Sequence, residues 1–406
     1  MDTNDRAPLT GIRVLELGSF VAAPFATRLL ADFGAQVVKV ERPGTGDEMR
    51  GWRRHRGGTS MMFRTIARNK HTITLDLRTD EGREVALDLA RTCDVVVENF
   101  RPGTLERWGL GPDELNGANP DLVLVRISGY GQTGPHRDRT GFGGVAEAVA
   151  GLRQVTGHPD REPVRPVAPV GDTLAGLYGA VGALMLLLAR ERGREHHGSR
   201  VVDVALYESV FMAMESLVPE YDAYGVVRQR TAGNLPGFVP GGSYPTGDGR
   251  SVMIAGNSSG VFRRLMHLVD RPDLAEDPDL ADADHRDRHE EEIDRAVAAW
   301  AARHTAPEAV DLLSGAGVPA GPLHDARSIT EDEHYRDRGM LLPFDVEVDG
   351  APEQVRFPGV VPALPGSPGS VRWLGPDLGE HTEEVLSGLL GYPDARIEEL
   401  RGRGVI

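Results

Sequence analysis

The chain has 406 residues, 61 acidic against 45 basic, for a formal net charge of −16, and 40% of its residues are apolar. That charge excludes a general nucleic-acid binder, and the apolar share excludes disorder as the main state. The length exceeds the ~250–300 residues one core supports, so at least two lobes are expected, joined by the long connections that 50 glycines and 28 prolines imply.

In chain order, residues 12–17 read as a strand. A Gly18-Ser19 turn follows, then a helix over 23–33 stopped at Gly34 and a second strand over 36–41, which together make one βαβ unit. The pattern returns as strand 72–77, helix 80–90, strand 94–98, a corner at Arg101-Pro102-Gly103 and strand 122–127. Strands alternating with helices predict a mostly parallel sheet covered on both faces. Beyond a loop rich in Gly, Pro and Arg (129–169), the apolar stretch 173–189 is shorter than the ~20 residues of a bilayer span and carries Gly176, Gly179 and Gly182. It reads as a buried helix, and 201–218 reads as another. Past a segment dense in Gly and Pro come a strand over 251–255, a helix over 260–269, an acidic stretch over 270–287 and helical patterns over 290–304 and 307–314. A strand pair near 344–348 and 354–357, a Pro-rich linker at 362–368 and a C-terminal helix from Glu380 complete the chain.

Cys93, the sole cysteine, precedes an apolar run and reads as core. One cysteine permits no internal disulfide, and the first residues have neither the basic start nor the apolar stretch of a signal peptide, so a cytoplasmic protein is expected.

Several constellations bear on chemistry. The turn Glu16-Leu-Gly-Ser-Phe-Val-Ala-Ala-Pro24 lacks G-x-G-x-x-G, which disfavours a nicotinamide dehydrogenase, and no Walker-type phosphate loop occurs. Between residues 43 and 70 stand Arg50, Arg53, Arg54, Arg56, Arg64, Arg68 and Lys70 against Asp47 and Glu48, with Trp52 and Phe63 interleaved. Such a segment suits a polyphosphate ligand, and it equally suits a solvated loop paired with acidic surface. His285 and His289 share the spacing of a metal pair on a helix, but no H-E-x-x-H or third ligand accompanies them, so they read as a charged helix start and no metal is expected. His196-His197 read as an exposed turn. Asp172 in Val-Gly-Asp-Thr-Leu-Ala-Gly stands directly before a glycine-bearing helix. There it serves as an N-cap, or as a carboxylate whose reaction the helix N-terminus assists; the residues alone leave both open.

An ordered set of motifs runs from Pro8 to about Leu389: Leu9-Thr-Gly-Ile-Arg-Val-Leu-Glu-Leu, Val38-Lys-Val-Glu-Arg-Pro-Gly-Thr-Gly-Asp47, Asn69-Lys70 with Leu75-Asp76-Leu77, Val97-Glu-Asn-Phe-Arg-Pro-Gly103, Gly171-Asp172 and Tyr244-Pro-Thr-Gly-Asp-Gly249. In this set the chain resembles the family III CoA-transferases, also called the CaiB–BaiF family. The resemblance implies an α/β fold with four spans: a large Rossmann-like CoA-binding domain over 1–218, a linker over 219–250, a small domain over 251–335, and a return segment over 336–406 whose C-terminal helix packs on the large domain. It also implies an interlocked homodimer. By the same likeness Asp172 is the nucleophile. Phe20, Arg42, Leu75, Asn99, Phe100, Arg107, Thr140, Phe142 and Leu206 hold CoA, although Leu75, Phe100 and Leu206 would serve equally as core.

The family's glycine-rich covering loop is matched loosely by Pro240-Gly241-Gly242-Ser243. Coenzyme A enters as substrate, as acyl-CoA donor with a carboxylic acid acceptor, and no tightly bound cofactor, nucleic acid or membrane is implied. Val21 stands where the formyl-CoA branch has Gln, and Thr140 and Phe142 stand where it has Lys and Tyr. The segment Arg228-Gln-Arg230 to Gly237 looks like the branch that pairs succinyl-CoA with small dicarboxylates, its two arginines being candidates for a distal carboxylate. α-Methylacyl-CoA racemases share the fold and the Asp, but place a His-Asp pair where this chain has Phe142-Gly143. A non-catalytic CoA-binding protein is the third reading, which the presence of Asp172 weakens.

Overall fold

The structure, a computed structural model, describes residues 7–53, 58–194, 200–234 and 237–406. Runs of β-branched residues form β1 (Arg13–Glu16), β2 (Gln36–Glu41), β3 (Lys70–Thr74), β4 (Val95–Glu98), β5 (Val123–Ser128) and β6 (Arg200–Ala205). They pair in parallel in the order β3-β2-β1-β4-β5-β6. Because side chains alternate along a strand, neighbouring residues feed opposite cores. Val14, Val37, Val95 and Val123 meet Ala26, Leu30, Ala175 and Leu187 on one face. Leu15, Val38, Val96 and Leu124 meet Val85, Leu89, Leu386 and Leu400 on the other. Cys93 lies in this second core, where burial pushes its thiol up to about 12.

The chain divides into two units. The first takes in everything up to Leu152, then Pro166–Tyr224 and Asp337–Ile406; the second takes in Arg153–Arg165 and Gly225–Arg336. In the second, β7 (Gly241–Pro245), β8 (Ser251–Ala255) and β9 (Ala320–Pro322) pair antiparallel. Val252 and Ile254 share a core there with Phe262, Leu265, Ile293, Trp300 and Leu313. In the first, β10 (Leu341–Val348) and β11 (Ala351–Pro358) form a hairpin.

Three elements differ from expectation. The helix expected over 201–218 is β6 followed by the helices Leu206–Met212 and Leu217–Tyr224, since Val201, Val202 and Val204 suit pairing with β5 and the open ladder of β5 outweighs local helix pattern. The C-terminal helix is two, Thr382–Gly388 and Asp394–Gly402, parted around Gly391 and Pro393. The glycine-bearing helix spans Val170–Glu191, long and apolar enough to cross a membrane by length and composition, and it is buried on one face alone. Gly176 lets it approach Ala22, Gly179 fits against Val125 and Ile127, and Gly182 against Val202. Its other face leaves Leu177, Tyr178, Val181, Leu184, Met185 and Leu188 exposed.

β3 is the sheet's edge, and the returning chain covers it. Asn69 N–H donates to Trp373 O at 3.1 Å and His381 N–H to Thr72 O at 3.0 Å. Thr72 and Thr74 donate to His381 Nδ1 at 3.3 Å and Thr382 Oγ1 at 3.1 Å. No backbone edge is left as a template for another strand there.

Candidate active site

The strand order reverses between β1 and β4, and in open α/β sheets ligands bind at that reversal, beyond the strand C-termini. The chain leaves β1 through Gly18-Ser19 and β4 through Asn99-Phe100. Asn99 joins the two turns, its Oδ1 accepting from Ser19 N–H at 2.9 Å and its Nδ2 donating to Ser19 O at 2.8 Å. The next residue, Phe20, holds a left-handed φ of 59°, a conformation that costs energy for a bulky side chain and persists only when its surroundings impose it. Asp47 imposes it by accepting Phe20 N–H at 3.1 Å on Oδ1.

Asp47 is in turn fixed by buried charges. Its N–H donates to Glu41 Oε2 at 2.9 Å and its carboxylate pairs with Lys39 at 2.8 Å. Lys39 also meets Glu16 at 2.8 Å, and Lys70 meets Glu16 at 2.7 Å. Burial alone would raise the Glu16 carboxyl, but the two ammoniums prevail and hold it at about 2. Burial pushes Lys70 down to about 8 against the pull of Glu16. Further along, burial lifts Glu98 to about 7 against the Arg126 guanidinium that donates to it at 2.8 Å.

Two cavities open over this network. One is lined by Arg42, Leu75, Arg78, Phe100 and Trp108 among others, and thus brings together three of the residues expected to hold CoA. Phe100 and Trp108 meet edge to face at 5.0 Å, and Arg78 is held by Asp76 at 2.7 Å. The second cavity brings together Phe20, Asn99, Phe100, Phe142, Leu206 and Asp172. Phe20, Trp52 and Phe142 stand edge to face in its wall, with centroids 5.5, 5.6 and 6.4 Å apart. Arg107 and Thr140 are in neither lining: Arg107 donates to Thr104 Oγ1 at 2.9 Å, and Thr140 is exposed between two lining residues, Arg139 and Gly141.

Asp172 is not an N-cap. Pro169 occupies that position and Asp172 lies in the first turn, because the helix begins at Val170, with Gly171 N–H facing the buried Glu147 carboxylate at 3.5 Å. The first turn favours a negative charge through the helix dipole. Gly143, at the start of the short helix Gly143–Val149, packs against the Asp172 carboxylate so closely that a Cβ there would overlap Oδ2. We therefore expect Gly143→Ala to lower kcat by about 10- to 100-fold through misplacement of the carboxylate. The acyl-CoA KM should move by less than about threefold; steady-state kinetics check both.

Four cations of the basic segment are engaged within the fold. Arg50 grips Glu41 at 2.7 Å, Arg68 grips Asp32 at 2.6 Å, Lys70 pairs with Glu16, and Arg64 reaches Asp377 at 3.2 Å. These four cations answer acids within the fold; Arg53 donates to Val167 O, and Arg54 and Arg56 lie outside the described residues. Gly241 and Gly242, expected in a covering loop, are instead the buried first residues of β7, opposite Ala255 and Ile254. Their backbone groups are taken up by the ladder. Arg230 donates to His158 O and Gln154 O, both at 3.1 Å, so its guanidinium is engaged within the second unit. His285 meets Asp279 at 2.7 Å and His289 lies 3.9 Å from Glu292, while His196-His197 fall outside the described residues. Trp52, Gly143 and Arg139 are site residues that the sequence reading did not assign. Only the Gly143-Gly144 pair at a helix start carried a usable signal.

CoA-transferase family III matches this chain over residues 9–382. The chain is 44% identical over 400 residues to succinyl-CoA–D-citramalate CoA-transferase of Chloroflexus aurantiacus, covering 98% of each chain. It is 37% identical to succinyl-CoA:mesaconate CoA-transferase of Haloarcula hispanica, covering 93% of this chain and 95% of the relative. A crystal structure of a CaiB/BaiF family protein from Brucella suis superposes with a TM-score of 0.81 at 28% identity, over 95% of this chain and 100% of that one.

Proposed function

The chain belongs to CoA-transferase family III, and from that premise we propose that it moves CoA from succinyl-CoA to a small dicarboxylate through covalent intermediates on Asp172. The observation that carries this reading is the Asp172 carboxylate at a helix N-terminus, in a cavity continuous in sequence with the turns expected to bind CoA and lined by no histidine among the described residues.

A carboxylate is enough to start the exchange. Asp172 attacks the thioester carbonyl, giving a mixed anhydride and CoA thiolate. The thiolate then attacks the aspartyl carbonyl, releasing the donor acid and leaving an aspartyl-CoA thioester. The acceptor carboxylate attacks that thioester and expels the thiolate, which takes the acceptor acyl group and regenerates Asp172. Each step exchanges an oxyanion for a thiolate, so no barrier requires a metal or redox group. The aromatic wall of Phe20, Trp52 and Phe142 lines the space in which a hydrolysable anhydride forms and covers part of it from water. Racemisation would need a second acid or base on the opposite face of the α-carbon, which Phe142 and Gly143 do not supply.

The relatives named for citramalate and mesaconate are the ground for a dicarboxylate acceptor. The active form is a homodimer of the interlocked kind. Its support is the exposed apolar face of Val170–Glu191 together with Val145, Val149, Phe211 and Met212 on the packed helices beside it, a surface suited to a second copy. A cytoplasmic location belongs to the same reading.

A panel of free acids incubated with succinyl-CoA, in D₂O, with products read by mass spectrometry, tests the function. New dicarboxylyl-CoA species without α-deuterium are expected. Exchange of deuterium into a 2-methylacyl-CoA with no acyl transfer would instead establish a racemase.

A further inference from the structure

The cavity that holds Asp172 contains only two other charged side chains among its lining residues, Arg101 and Arg139. They differ in placement. Arg101 follows Asn99-Phe100 at the end of β4, next in sequence to Phe100, which lines both this cavity and the one that holds Arg42 and Leu75. Arg139 also lines the cavity and precedes the Gly141-Phe142-Gly143 run whose last member packs against the Asp172 carboxylate. Its side chain is exposed and, among the described residues, takes part in no hydrogen bond or ion pair. Phe20, Trp52 and Phe142 give the same cavity an aromatic wall. A planar fork of N–H donors beside an apolar wall matches a carboxylate in two parallel bonds.

We infer that Arg139 is the specificity-determining residue of this cavity, holding the free distal carboxylate of the donor acyl group in the first half-reaction and of the acceptor acid in the second. The inference rests on the transferase reading above and names how its substrates are chosen. One cation suffices for both, because donor and acceptor acyl groups are each joined in turn to the Asp172 carboxyl carbon through an anhydride oxygen and so fill the same space. A monocarboxylate fills it without answering the charge. It follows that donor and acceptor preference are set together: a change at Arg139 relaxes both.

The test compares the parent, Arg139→Gln and Arg139→Lys in two reactions: succinyl-CoA with glutarate, and butyryl-CoA with ¹³C-labelled propionate. In Arg139→Gln, kcat/KM for the dicarboxylate pair should fall by about 30-fold or more, the scale on which a site loses a substrate whose charged group it no longer pairs. The monocarboxylate pair should change by less than about threefold, and Arg139→Lys should recover part of the dicarboxylate rate. An unchanged ratio between the two reactions, an equal fall in both, or a parent that prefers the monocarboxylates would overturn the assignment. Failure of the transferase reading looks different: the parent then transfers CoA to neither acid.

Discussion

Asp172→Asn is expected to lower CoA transfer by about 10³-fold or more while leaving the thermal transition in place. The amide has nearly the shape of the carboxylate and still offers an oxygen to the helix's first turn, but it cannot form an anhydride. The loss should appear in kcat with every acceptor, whereas binding of CoA itself, followed by calorimetry, should persist, because the groups expected to hold it are Arg42, Leu75 and Phe100 in the adjoining cavity. An isotope gives an independent check in the parent. When ¹⁸O-labelled acceptor attacks the aspartyl thioester, the bridging oxygen of the new anhydride comes from the acceptor and remains on Asp172 after collapse. Label should therefore be found in the Asp172 peptide. Turnover at the parental rate in the purified variant would remove Asp172 from the mechanism.

Glu16→Ala should cost about 3–5 kcal/mol of stability, read as a shift in the urea midpoint of the first unit's transition. Glu16 is fully buried and receives Lys39, Lys70 and the Thr27 hydroxyl. Without it Lys39 retains Asp47, but Lys70 keeps only Pro24 O, at 2.8 Å, so an ammonium is left buried without a counter-charge. By contrast, Arg263→Ala breaks an exposed pair with Glu276 and should cost less than about 1 kcal/mol. The pH dependence has a definite sign. A carboxyl held at about 2 in the folded chain, against an ordinary value of 4.5, contributes stability that is whole above 4.5 and is lost as pH falls toward 2. The parent should lose stability through that window, and Glu16→Ala should lose less.

The parallel sheet was legible because its strands are short β-branched runs set between helical patterns, and Val14, Val37, Val95 and Val123 sit in register as such runs predict. β6 was not, because Val201–Ala205 passes without a turn signal into an apolar helix, and only the free ladder of β5 decides between strand and helix. The site was legible through its ordered motifs more than through its chemistry. Nothing local marks Asp47 as the acceptor that holds Phe20 at positive φ, since the two are 27 residues apart. Within the basic segment the partners were hidden for a related reason: Arg68 and Lys70 find Asp32 and Glu16 only after the strands have come together. Arg139 lay hidden in a loop of many arginines, and what sets it apart is its place in the lining of the Asp172 cavity.

The covering of β3 sets a timetable for synthesis. The indole of Trp373 reaches back to Lys70 O across 303 residues of chain. On a ribosome adding ~5–20 residues per second, that interval is roughly 15–60 s. Throughout it the nascent sheet carries an open edge of His71, Thr72, Ile73 and Thr74, the kind of surface that recruits another unfinished copy. The first unit can therefore collapse early, but the edge of its sheet is not sealed until the chain around Trp373 and His381 has emerged.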